Sequence, residues 1–303
     1  MKKKFRVLAV VLCMVLFAAM AMGSGSSESD GEKEVVSSGN IEGTDATQAG
    51  KEEKEPAITI EEQVLLDKEG IVVTAKEYVV DSIWGEGVKL LVENNGDKTV
   101  TVSCNAVIVN NFMLSDLFVE EIAPGKKSNE TLYLSGSELK AAGIEKVGQV
   151  EFYFHVYDSE SYEGIFDSDC VTVKTSAYAS MDTKADDSGT ELYNANGIRI
   201  VGKTVDENSF WGSAILLYCE NNSGKNVGIS VEEMSINGFM MNPLFSTTVY
   251  NGKMSLDDIT ILSTDLEENG ITAIEEVELK FHIYDKDTYD TIADSDPITF
   301  SAK

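Results

Sequence analysis

The sequence predicts an all-β protein made of two tandem sandwich domains, each with one short helical turn. Residues 67–175 align with residues 194–302 at a constant offset of 127 without a gap, and 36 of the 109 paired positions are identical. Self-similarity of that degree means one fold written twice. Within each copy, apolar residues recur with period two in short runs bounded by Asn, Gly and Asp, the pattern of half-buried strands. Hydrophobic residues make up 43% of the 303 residues, enough to fill two cores.

In chain order, Lys2, Lys3, Lys4 and Arg6 form a basic segment, residues 7–22 an uncharged apolar run, and Ala21-Met22-Gly23 a small-x-small site. Residues 1–23 therefore read as a secretory signal peptide. The run is shorter than the roughly 20 residues of a spanning helix, so a membrane link would need an uncleaved signal or a lipid anchor. Without these residues the chain keeps 20 basic and 52 acidic residues, moving the net charge from −28 to −32. Phosphates would be repelled, which argues against nucleic acid as a partner. Residues 24–56 lack aromatics and are rich in Ser, Gly, Glu and Thr, a composition that cannot offset its chain entropy, and they are expected to be a disordered stalk. Residues 57–175 form repeat 1, the small and polar residues 176–188 a linker, and residues 189–303 repeat 2.

Val88, Leu90 and Val92 alternate with Lys89, Leu91 and Glu93, and Ile215, Leu217 and Cys219 do the same in repeat 2. The turn-forming Asn94-Asn95-Gly96-Asp97 and Asn221-Asn222-Ser223-Gly224 follow, and predict hairpins into the next strand. Val150, Phe152, Phe154 and Val156, with Val277, Leu279, Phe281 and Ile283, mark a late strand in each copy. Thr264 and Glu267 have the spacing of a capping box closed by Gly270, and residues 137–143 are the equivalent turn. Six or seven strands in about 110 residues, with one helical turn, point to an immunoglobulin-type sandwich.

The recurring Glu-Asn-Asn-(Gly or Ser)-x-Lys-x-Val, preceded by Trp84-Gly85 or Trp211-Gly212, resembles tandem immunoglobulin-like, telokin-like domains of unknown function in Gram-positive secreted proteins and lipoproteins. That resemblance implies a location outside the cell or in its envelope and a binding or envelope role, and it brings no catalytic residues. The lipoprotein tether normally follows a Cys. None stands there, and Cys13 after the bulky Leu12 reads as part of the signal.

The acidic loop after the late strand carries Asp158, Glu160, Glu163, Asp167 and Asp169, repeated as Asp285, Asp287, Asp290, Asp294 and Asp296. Such oxygen-rich loops suit Ca2+ in extracellular modules, although the spacing is not that of an EF-hand. The alternative is a solvated hairpin end whose carboxylates cap turns. Trp84 and Trp211 would dock a partner if exposed, but tryptophan is buried more often than not, which favours a core role. Phe112-Met113 and Phe239-Met240 suit an adaptable partner surface, with packing over the core as the leading reading. His155 and His282 lie on the strand face opposite the apolar one, with no nucleophile suggested at hand. Cys104 and Cys170 could pair in an oxidising compartment, while Cys219 takes an inward apolar position. The functional expectation is a non-enzymatic cell-surface or secreted binding or adhesion module recognising an extracellular protein or glycan. The alternatives are a calcium-stiffened spacer and, less favoured, a hydrolase.

Overall fold

The computed structural model describes residues 57–115, 118–181, 184, 186–209 and 212–301, the side chains of 207 and 208 apart. The expected signal peptide, the whole of the expected stalk, and Trp211 lie outside the described residues. Repeat 1 contains β1 (Gln63–Lys68), β2 (Ile71–Asp81), β3 (Gly85–Asn94), β4 (Val100–Val109), β5 (Phe112–Leu114), β6 (Val119–Ile122) and β7 (Lys127–Tyr133). A six-residue helix, Gly136–Ala141, then leads to β8 (Gln149–Asp158), β9 (Gly164–Asp167) and β10 (Val171–Lys174). Repeat 2 contains β11 (Thr190–Ala195), β12 (Ile198–Ser209), β13 (Gly212–Asn221), β14 (Val227–Ile236), β15 (Phe239–Met240), β16 (Ser246–Val249) and β17 (Lys253–Leu262). Helix Ser263–Glu268, β18 (Glu276–Asp285), β19 (Thr291–Asp294) and β20 (Ile298–Ser301) complete it. Each element of the first set returns about 127 residues later.

Each repeat is a two-sheet sandwich. In repeat 1 one sheet has the order β1-β2-β3-β7; the other runs β10-β8-β4-β5, with β6 also on β4 and β9 on β8. Crossing from β3 to β4 and back to β7 gives the Greek-key order of an immunoglobulin-type sandwich. Ten strands per repeat, rather than six or seven, reflect short edge pieces that share a neighbour. Alternation holds as expected: Val88, Leu90 and Val92 are fully buried, and Phe152, Phe154 and Val156 line the same core. The second core gathers Ile215, Leu217, Cys219, Val277, Leu279 and Phe281.

Three expectations are corrected. The Asn-rich segments are not hairpins: β3 pairs with β2 and β7, while β4 lies in the opposite sheet. The cause is the buried Asn94, whose amide donates to the Lys98 and Ile122 carbonyls while its Oδ1 accepts the Gly96 N–H, turning the chain across the sandwich. Asn221 does the same with Lys225, Val249 and Ser223. The capping box is not made, since Leu262 is the N-cap residue and has no side-chain cap; Gly270 does close the helix at φ 66°, with the Ile271 N–H reaching the Leu266 carbonyl. Cys104 and Cys170 are both free thiols. Cys104 is on β4 and Cys170 precedes β10, on opposite sides of β8. Two strand spacings, about 9–10 Å, exceed the reach of a disulfide.

The repeats share one sheet. β5 of repeat 1 pairs in parallel with β17 of repeat 2, Phe112 beside Met254 and Met113 beside Ser255, so that one sheet runs through ten strands. The first core continues into repeat 2 through Val201 and Tyr218.

Candidate functional site

Three surfaces collect the residues singled out by sequence. The first is the β2–β3 turn. The last ladder pair is Asp81 with Gly85, leaving a three-residue loop closed by Gly85 at φ 84°. Asp81 Oδ1 accepts the N–H groups of Ile83 at 2.7 Å and Trp84 at 2.9 Å. Those two bonds hold its carboxyl below the usual carboxylate range. The pinned loop projects Ile83, 81% exposed, and Trp84, 67% exposed, with Tyr133 alongside at 6.2 Å between ring centres. Trp84 is therefore no core plug, contrary to what general tryptophan burial favours.

The acidic loops form the second surface. Asp158 is buried, and its Oδ1 accepts the Glu160 and Ser161 N–H groups while Oδ2 meets Lys98 Nζ at 3.0 Å. The Ser161 bond first, then Lys98, pulls its carboxyl down to about 2. Asp285 repeats this with Asp287, Thr288 and Lys225, the lysine at 2.7 Å being the leading cause of its lowered pKa. Glu163 and Asp290 accept the Asp158 and Asp285 N–H groups through their backbone carbonyls. Asp169 and Asp296 likewise accept the hydroxyls of Ser168 and Ser295. Asp167 and Asp294 bind His155 Nδ1 at 2.7 Å and His282 Nδ1 at 2.6 Å. Glu160, Glu163, Asp169, Asp287, Asp290 and Asp296 are all exposed. Among the described residues no three His, Cys, Asp or Glu side chains gather in a group able to hold a metal ion.

These loops carry an aromatic ladder. His155, Tyr157 and Tyr162 lie in succession at 5.5 and 6.3 Å, and His282, Tyr284 and Tyr289 at 5.6 and 6.0 Å. Tyr162 and Tyr289 are exposed and sit at φ 57° and 61°, a left-handed conformation usually taken by Gly or Asn. In repeat 2, Gly228 makes room for the Tyr284 ring, since a Cβ there would meet Tyr284 Cζ at 2.2 Å.

The Phe-Met segments split into two fates. Phe112 is buried against Tyr218, and Met113 Sδ accepts the Tyr250 N–H. That pair is spent on the contact between the repeats and offers no partner surface. Phe239 and Met240, by contrast, are 48% and 66% exposed.

Periodicity misses one arrangement. Glu138, Asp206, Asp257 and Asp258 line a cleft shared by both repeats. Burial raises the carboxyls of Asp257 and Asp258, and the Glu138 charge adds to both. Only the docking of the two repeats joins these distant positions, and the Asp-Asp pair in β17 is the one local signal. Burial alone drives the Cys104 thiol up to about 12.

No protein-family model and no curated relative matches the chain. Among solved structures, it is similar to a Salmonella enterica SafA pilin in complex with the SafB chaperone, at 12% identity, TM-score 0.21, and 71% and 88% of the two chains covered. It is also similar to the exo-beta-D-glucosaminidase CsxA, at 8% identity and TM-score 0.24, covering 75% of this chain and 26% of that one. A protein of unknown function from Porphyromonas gingivalis W83 matches at 11% identity and TM-score 0.19, with 71% and 89% covered. Likenesses this distant carry no conclusion about activity.

Proposed function

We propose that the chain is a non-catalytic binding or adhesion module, exported to the bacterial surface or beyond, that recognises an extracellular protein or glycan. The observation that carries this reading is the β2–β3 turn, where Asp81 pins a loop whose Ile83 and Trp84 both face solvent. An exposed tryptophan beside an exposed β-branched residue costs solubility, and aromatic anchors dominate the energetics of recognition surfaces. Each histidine is bound through Nδ1 to an aspartate and lies beside a tyrosine ring, so that both are built into the acidic loop rather than into the Trp84 turn. The basic and apolar N-terminal segment supports export.

The test is retention of the protein on a panel of immobilised extracellular proteins and glycans. Trp84→Ala and Ile83→Ser should each abolish retention while leaving the melting midpoint unchanged. Retention that survives both substitutions overturns the assignment to this turn.

A second reading is a spacer, favoured by the sheet that runs through both repeats. It rests on a stiff joint between repeats, and its calcium-dependent form is tested separately by a melt in chelator.

A further inference from the structure

We propose that a second copy of this chain docks on the free β15 edge, head to tail, repeating the seam that already joins the two repeats. The β4–β5 and β14–β15 hairpins are built alike. Asn110 and Asn237 take φ 48° and 50°. Asn110 Oδ1 accepts the Gly148 and Gln149 N–H groups, and Asn237 Oδ1 those of Glu275 and Glu276. Each amide also donates to a carbonyl, Lys146 or Ala273. Each hairpin then presents Phe-Met. What differs is the cover: β5 lies along β17, whereas β15 ends its sheet among the described residues, with Phe239, Met240 and Leu244 exposed. An apolar edge built like a docked one is an edge made for docking.

The receiving edge has a counterpart too. β7 stands in repeat 1 where β17 stands in repeat 2, and among the described residues it ends its sheet with β3 on one side. In the internal seam Lys253 Nζ meets both carboxylate oxygens of Glu151. At the offset of 127, Lys253 corresponds to Lys126 and Glu151 to Glu278, the same residue types, and both are exposed. Laying β15 of one chain along β7 of the next puts Phe239 beside Lys127, Met240 beside Ser128, and Glu278 against Lys126. Phe239 then covers Leu91, as Phe112 covers Tyr218.

The receiving face is the more polar of the two. Lys127 and Asn129 replace Met254 and Leu256, and Thr74 stands for its isostere Val201. The net charge of −28 also sets chains against one another. The junction is therefore weaker than the internal seam and forms at high local concentration. Because the donated edge differs from the received one, the contact is heterologous and builds rings or open chains.

Sedimentation velocity of the exported chain, from micromolar to millimolar in about 0.15 M salt, tests this. The wild type should form a concentration-dependent series of oligomers. Lys126→Glu and Glu278→Lys alone should each weaken association by about tenfold or more, since like charges then meet. Mixing the two variants should restore it, because every junction again joins opposite charges. Both positions are exposed, so unchanged melts will show that each variant folds. A single monomeric species at all concentrations overturns the proposal, as does Lys126→Glu associating like wild type, which would place the second copy elsewhere. Retention through Trp84 is read independently, so either idea can fail alone.

Discussion

Lys253 of repeat 2 reaches Glu151 of repeat 1, its ammonium 2.6 and 2.9 Å from the two carboxylate oxygens and 3.1 Å from Asn111 Oδ1. Both charged side chains are nearly shielded from solvent, at 13% and 10% exposure. Removing one member of such a pair leaves the other buried and unpaired, at a cost of about 3–5 kcal/mol. Lys253→Met should therefore destabilise the protein strongly in urea. Combining it with Glu151→Leu should recover most of the loss, because no lone charge remains. A double variant no better than the single would mean that the ion pair itself holds the repeats together.

The exposure of Trp84 is checked by quenching. Trp84→Phe should remove the fraction of tryptophan emission that iodide reaches, and shift stability by no more than about 0.5 kcal/mol, as expected of a side chain away from any core. Quenching that is unchanged by the substitution would place the accessible emission at Trp211 instead.

Acid should loosen both loops together. Asp158 and Asp285 have lowered pKa values in the folded protein, Asp158 down to about 2. Their contribution to stability is thus complete above the unfolded carboxylate value of about 3.9 and is lost as pH falls through the folded one. Denaturation followed between about pH 5 and 2 should show this decline, and Asp158→Asn or Asp285→Asn should flatten it. A slope that neither variant changes would assign acid sensitivity to other carboxylates.

Calcium has competition at these loops, because Lys98 and Lys225 already occupy one oxygen of Asp158 and Asp285. Melts in excess calcium and in chelator are therefore expected to coincide. A bound ion at 100 times its Kd would add about 2.7 kcal/mol, so a calcium-specific rise of several degrees, lost in Asp285→Asn and Asp287→Asn, would establish a metal site and the stiffened spacer with it.

Asn94 bridges two carbonyls from inside the sandwich, and Asn94→Ala leaves both without a donor. At about 1–3 kcal/mol for each buried group left unsatisfied, the variant should lose about 2–6 kcal/mol in chemical denaturation. A loss under about 0.5 kcal/mol would mean that water takes over the amide's role.

The repeat, the strand faces and the positions of the turns were legible in the sequence, because they depend on neighbours two to four positions apart or on plain self-alignment; the hairpin and the capping box read at those turns were not made. Cys219 follows its strand's apolar positions and is fully buried, as its place in the alternation requires. The acidic loops were visible as compositions, but not the lysines that neutralise them: Lys98 lies 60 residues from Asp158 along the chain. Asn94-Asn95-Gly96 announces a turn without saying which sheet the next strand joins, because a hairpin and a sandwich corner need the same backbone freedom. The two Phe-Met pairs show the limit most clearly. Identical dipeptides on matching hairpins meet different surroundings, Phe112 packed on Tyr218 and Phe239 left in solvent. Local sequence determines strand, face and turn; burial at an edge depends on which surface arrives there, and only the tertiary structure decides that.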